Sequence, residues 1–181
     1  LGNIWIINSK GVFNMRLKII ILILLTILII GCSSDQKGKV NIDIKNKQPG
    51  FSFVDTKEEI CTEDSKPIIR FFATTWCPHC GWIRETYKGI VDGYVEEGKI
   101  KAYLWEVDIG DDSLTKKQEL TVPEEEKTIF QKVNSRGTVP TFVFGCKYLR
   151  IGNAFETQND LESEEKEFRA VINKLINESQ S

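Results

Sequence analysis

The sequence predicts an α/β fold with a mixed central sheet flanked by helices, and three observations predict it. Pro67 to Ala73 is a nearly continuous apolar run, as expected of a central strand covered on both faces. Ile83, Tyr87, Ile90, Val91 and Tyr94 then recur at helical spacing, and Lys99 to Asp108 again reads as a strand. That strand–helix–strand unit implies a parallel pair with a right-handed crossover. Further on, two short strands and an amphipathic helix follow, giving the order β, β, α, β, α, β, β, α, which suits a sheet with helices on both faces.

Before the first strand, the chain carries what reads as a targeting segment. Met15-Arg16-Leu17-Lys18 is a short positive stretch, and Ile19 to Ile30 is a run of 12 residues, all aliphatic except Thr26. A membrane-spanning helix needs roughly 20 such residues, so the run fits a signal-peptide core better, although an uncleaved anchor also fits. Ile29-Ile30-Gly31-Cys32 resembles a lipobox, in which a small residue precedes a cysteine that is lipidated and becomes the new N-terminus. We therefore expect residues 1–14 to be an overlong start without function, 15–31 a lipoprotein signal peptide, 32–49 a flexible tether, and 50–181 the folded domain. Both targeting readings put that domain outside the cytoplasm, on the extracytoplasmic face of a membrane in the cell envelope.

Composition fits this arrangement. Hydrophobic residues make up 41% and charged residues 28%, as in a globular chain. The net charge of −2 is uneven: residues 1–31 hold Lys10, Arg16 and Lys18 and no acid, so the rest carries 21 basic against 26 acidic residues. No basic patch is dense enough for nucleic acid.

In order along the domain, Phe51 to Val54 alternates weakly and reads as a first strand. Asp55 to Ser65 is polar and holds Cys61. After the central strand and its helix, Gly98 is a stop signal. Gly110 to Val122 is polar and turn-rich. Pro123 opens a helix whose first turn is Glu124-Glu125-Glu126, acids matched to a helix N-terminus, with Ile129, Phe130 and Val133 as its apolar face. Asn134 to Gly137 ends it. Thr141 to Phe144 and Tyr148 to Ile151 read as a hairpin turning at Gly145-Cys146-Lys147. Leu161, Phe168, Val171, Ile172, Leu175 and Ile176 form one stripe of a final charged helix.

The chemistry centres on Trp76-Cys77-Pro78-His79-Cys80, where the central strand hands over to a helix. Unpaired N–H groups and the helix dipole favour thiolate over thiol at such a place, and only the thiolate attacks a disulfide. Cys77, first in the motif at the exposed helix start, is the candidate nucleophile. Cys80, one turn in, is the candidate resolving thiol. A static bridge and half a zinc site are the competing readings. A zinc site needs four ligands, and this chain has no second Cys-x-x-Cys and one histidine, His79. His79 between the cysteines can stabilise the Cys77 thiolate, which makes the disulfide a stronger oxidant; it can also be a solvated side chain without effect. Pro78 fixes φ and stiffens the helix entry. Trp76 offers an apolar surface to a substrate, or simply packs.

With Gly137-Thr138-Val139-Pro140-Thr141 leading into a strand, the motif resembles the thioredoxin superfamily over about residues 50 to 178. Cys-Pro-His-Cys is similar to the DsbA-like disulfide oxidants, and Trp76 to thioredoxin itself. The resemblance implies a thioredoxin-like fold, a redox-active Cys77–Cys80 disulfide, a cis peptide bond at Val139-Pro140, and a Val139 backbone that binds extended substrate. Two departures accompany it. Many relatives carry a buried acid six residues before the first cysteine, where this chain has Phe71; Asp108 is a weak substitute. DsbA-like proteins also carry a large helical insertion, for which only Gly110 to Arg136 is available here.

The resemblance also bears on the remaining cysteines. With Cys32 lipidated, Cys61, Cys77, Cys80 and Cys146 form an even set in an oxidising compartment. In the implied fold the strand after Pro140 runs antiparallel beside the central strand, which brings Cys146 to the end where Cys61 lies. A structural Cys61–Cys146 disulfide is therefore expected, against the alternative of two free thiols. The function implied is a membrane-tethered thiol–disulfide oxidoreductase, monomeric, needing no metal or organic cofactor. It would exchange disulfides with client proteins and with a membrane redox partner. A reductase of envelope thiols, as in cytochrome c maturation, is the alternative; a non-catalytic client-binding module is a rival of another class.

Overall fold

The computed structural model describes residues 51–180. The signal peptide, the tether and Cys32 lie outside the described residues. The elements are β1 (Val54–Asp55), β2 (Thr62–Glu63), β3 (Lys66–Ala73), α1 (Pro78–Glu96), β4 (Lys101–Glu106), β5 (Asp111–Asp112), α2 (Glu124–Val133), β6 (Thr141–Phe144), β7 (Tyr148–Ile151) and α3 (Leu161–Ser179), with one 3-10 turn at Glu156–Gln158.

The sheet runs β1-β7-β6-β3-β4-β5, and β2 pairs with the start of β3. β3 is parallel to β4, with Phe71 opposite Leu104, and antiparallel to β6, with Phe72 opposite Thr141. The sheet is therefore mixed, with β3 at its centre. Alternate residues of β3 serve two separate cores. Ile69, Phe71 and Ala73 join Ile83, Tyr87, Ile90 and Val91 of α1 and Phe168, Val171, Ile172 and Leu175 of α3. Phe72, on the other face, joins Trp105, Val143 and Leu149 under Val133, Ile129 and Phe130 of α2. Coverage on both faces explains the unbroken apolar run. Aromatic stacking adds to the first core, with Phe71 and Phe142 centroids 4.6 Å apart.

The start and end of each long element follow local rules. α1 ends at Glu96, and Gly98 follows with φ of 68°. α3 starts after Asp160, whose carboxylate accepts the Ser163 amide at 2.9 Å. The β6–β7 hairpin has the expected bounds.

Three strands depart from the sequence reading. β2 falls within the polar stretch Asp55 to Ser65 and pairs antiparallel with the start of β3. β1 lies at Val54–Asp55 rather than Phe51–Val54, because the Ser52 amide and hydroxyl are captured by the Glu167 carboxylate of α3. The polar stretch after β4 contains β5, antiparallel to β4 with Asp112 opposite Trp105. Asp112 holds it in place, accepting the Leu104 amide at 2.9 Å and the Leu114 amide at 3.2 Å.

Asp112 also sets a pH dependence. Burial raises its carboxyl from the usual 3.8 to about 6; the Leu104 and Leu114 amides pull it down, while Glu119 and Asp111 push it up. A carboxyl raised on folding contributes stability below its unfolded value, and that contribution is lost as pH rises through about 6. At neutral pH the buried charge is a cost. Asp112→Asn keeps an acceptor oxygen for both amides. It is expected to raise stability by about 1–2 kcal/mol at pH 7, with the gain fading towards pH 4. Urea unfolding at the two pH values measures it; an equal effect at both would assign the change to packing.

Candidate active site

Where β3 ends, the chain turns through Thr74 to Trp76 and enters α1 with Cys77 as its N-cap residue and Pro78 in its first turn. The Cys77 sulfur takes the role usually filled by a serine or aspartate oxygen: it accepts the Cys80 amide at 3.2 Å. A donor aimed at sulfur from a helix N-terminus is suited to a negative sulfur. Cys77 and Cys80 are free thiols.

Both are more enclosed than the sequence suggests. Cys77, expected at an exposed position, is 5% exposed, and Cys80 is fully buried. The N-cap geometry explains this, since it folds the Cys77 side chain back over the first turn. Burial pushes the Cys80 thiol up to about 12. The neighbouring Cys77 adds to the rise, while the Thr74 backbone and Arg84 oppose it.

The segment before β6 completes the site. Val139-Pro140 has a cis peptide bond, and the Val139 carbonyl oxygen lies 4.0 Å from the Cys77 sulfur. Asn134 anchors that segment, donating to the Thr138 carbonyl at 2.6 Å and to the Thr141 hydroxyl at 2.8 Å. The fold thus brings Cys77, Cys80, Val139 and Pro140 together from positions some sixty residues apart in the chain.

The flanking residues divide between surface and network. Trp76 is 74% exposed, which removes the packing alternative. The Thr75 amide and hydroxyl donate to Asp108, tying the Trp76 loop to the turn that carries exposed Ile109. His79 turns outward, its Nδ1 2.7 Å from Glu156 Oε1, and Asn153 donates to the His79 carbonyl at 2.9 Å.

Asp108 does not take the place of the missing buried acid. It sits near the surface; burial raises its carboxyl, but the hydrogen bonds from Thr75 outweigh this and hold it below the usual range. The acid next to the cysteine helix is Glu106 at the end of β4. It is 2% exposed and pairs with Arg84 of α1 at 2.8 Å. Arg84 in turn donates to the Thr74 carbonyl at 3.2 Å. Burial raises the Glu106 carboxyl, with Arg84 opposing. Glu106 Oε2, Arg84 Nε and Thr74 Oγ1 are buried without partners among the described residues. Sequence reading missed this pair: Arg84 looks like any exposed helix residue, and Glu106 like the outward position of an edge strand.

At the opposite end of β3, Cys61 and Cys146 are joined in a disulfide. Among the described residues, no group of three or more Asp, Glu, His or Cys side chains converges as a metal site would need. No helix among them is long and apolar enough to cross a membrane. No protein-family model, curated protein or solved structure matches this chain.

Proposed function

We propose that the protein is a thioredoxin-like thiol–disulfide oxidoreductase, tethered by lipid at Cys32 outside the cytoplasm, which exchanges disulfides with client proteins through Cys77 and Cys80. The observation that carries this reading is the cap geometry: one sulfur at the mouth of a helix accepting an amide, the other buried one turn in with its proton held tightly. That asymmetry gives one attacking thiol and one resolving thiol. The mixed sheet with helices on both faces is compatible with a thioredoxin-like fold, and the Val139 carbonyl beside Cys77 supports binding of an extended client chain. Exposed Trp76, next to Cys77 in the chain, supplies apolar surface beside the sulfurs.

The direction of electron flow is read from the potential of the Cys77–Cys80 pair. Titration against glutathione with thiol trapping gives it. A value near about −120 mV supports disulfide donation, and one near about −270 mV supports the reductase reading. His79 is expected to move this value. His79→Pro removes the imidazole and its contact with Glu156, and should lower the potential by about 30 mV, tenfold in the glutathione equilibrium constant. An unchanged constant would leave His79 a surface residue.

A further inference from the structure

Arg70 lies in the middle of β3 on the α2 side, and is 2% exposed. Its Nε and Nη2 bind the Glu126 carboxylate of α2 at 2.7 to 3.0 Å. Nη1 points elsewhere. It lies 3.2 Å from the Cys61 sulfur and 3.8 Å from the Cys146 sulfur. A neutral disulfide sulfur is a poor acceptor for a charged donor, whereas a thiolate is a strong one. The buried guanidinium is thus better matched to a reduced Cys61 than to the bridged one. A neighbour that favours thiolate favours the reduced form, and so makes a disulfide easier to reduce.

Two further features fit. Cys61 and Cys146 are only half-buried, and both line a pocket of about 450 Å³ walled by Ile60, Val133, Val143 and Lys132. The surrounding backbone is also held without the bridge. The Cys61 amide donates to the Gly145 carbonyl at 3.0 Å, the Thr56 amide to the Lys147 carbonyl at 2.8 Å, and the Thr56 hydroxyl to the Cys146 carbonyl at 2.9 Å. Opening the bridge therefore leaves the two segments side by side, able to close again.

The geometry points to Cys61–Cys146 as a second thiol–disulfide exchange site, on the face of the sheet opposite α1, reduced by a small thiol that enters this pocket. A thiolate attacks the Cys146 sulfur, the bond to Cys61 breaks, and Cys61 leaves as a thiolate against Arg70 Nη1. A second thiolate attacks the small-molecule sulfur of the mixed disulfide and releases Cys146. Two thiols are oxidised to one disulfide and the protein bridge takes two electrons; of the two protons, one passes to Cys146 and the other to solvent, while Cys61 stays a thiolate against Arg70 Nη1. Nothing in this step uses Cys77 or Cys80.

The test uses the full chain carrying Cys77→Ala and Cys80→Ala, so that its result is independent of the active-site reading. The protein is equilibrated in glutathione buffers of increasing reducing strength, thiols are alkylated, and peptides holding Cys61 and Cys146 are weighed, with far-UV circular dichroism alongside. The expected result is reversible reduction of the pair with the fold retained. A bridge that stays closed throughout, or opens only as the fold is lost, overturns the proposal. In the same background, Arg70→Leu with Glu126→Leu removes both buried charges together. It should make reduction about tenfold harder, and an unchanged equilibrium constant would overturn the part given to Arg70. Should that pair fail to fold, Arg70→Lys carries the same readout, since it keeps the charge but loses the forked donor.

Discussion

Cys77→Ala is expected to lower disulfide turnover to background, by at least about 10³-fold, whereas Cys80→Ala should make the first attack and stop there. The reason lies in the two sulfurs' surroundings. Cys80 is fully buried, and that burial, with the neighbouring Cys77, pushes its thiol up to about 12, so it rests protonated at neutral pH. It cannot begin the reaction. Cys77 accepts the Cys80 amide at the helix mouth and has the Val139 carbonyl beside it, where a client's backbone would lie. Attack by Cys77 on a client disulfide gives a mixed disulfide, and release then requires Cys80 to lose its proton. Cys80→Ala should therefore accumulate a covalent complex that resists boiling without reductant and disappears with it. Non-reducing electrophoresis with intact mass spectrometry reads both variants. Turnover that survives Cys77→Ala, or a complex trapped by that variant instead, would reverse the two roles.

The same pair shows how far the residues alone reach. The central strand, the cysteine helix and the β6–β7 hairpin were legible because each carries a strong local pattern: an unbroken apolar run, an apolar face at helical spacing, two short runs around a turn with positive φ at Gly145 and Cys146. β1, β2 and β5 were not, because strands of two residues have no period to read. What places β1 and β5 is side-chain capture from elsewhere: Ser52 by Glu167, 115 residues away, and the Leu104 amide by Asp112. The buried charges were illegible for a related reason. Arg70 falls inside a run read as nearly continuous and apolar, and Glu126 is read only as an acid matched to a helix N-terminus. Only the packing of α2 over β3 makes them a bidentate pair. Likewise, Arg84 and Glu106 acquire meaning at the active site only when α1 lies over the end of β4.

Arg150→Met is expected to destabilise the fold by about 3–5 kcal/mol. Arg150 on β7 is 4% exposed, with Nη2 2.6 Å from Glu164 and Nη1 2.9 Å from Glu167, both carboxylates of α3 themselves buried. Its guanidinium carbon also lies 4.6 to 4.8 Å from the ring centres of Phe53, Phe142 and Phe168. Methionine fills similar space and packs well on aromatic rings, so the loss is mainly of charge. Two carboxylates then remain in the core with no cation. If that is the cause, the compensated variant Arg150→Met with Glu164→Gln and Glu167→Gln should recover most of the loss, because no uncompensated charge is left buried. Urea unfolding of the two variants separates the explanations: an equal loss in both would mean that the rings and the hydrogen bonds matter, not the charges. The effect should also reach the active site. Glu164 accepts the Ala154 and Phe155 amides, and the next residue, Glu156, is the partner of His79. Releasing that turn should weaken the His79 contact, so a shift of the Cys77–Cys80 potential in the same direction as His79→Pro is expected in Arg150→Met and not in a distant variant of equal instability.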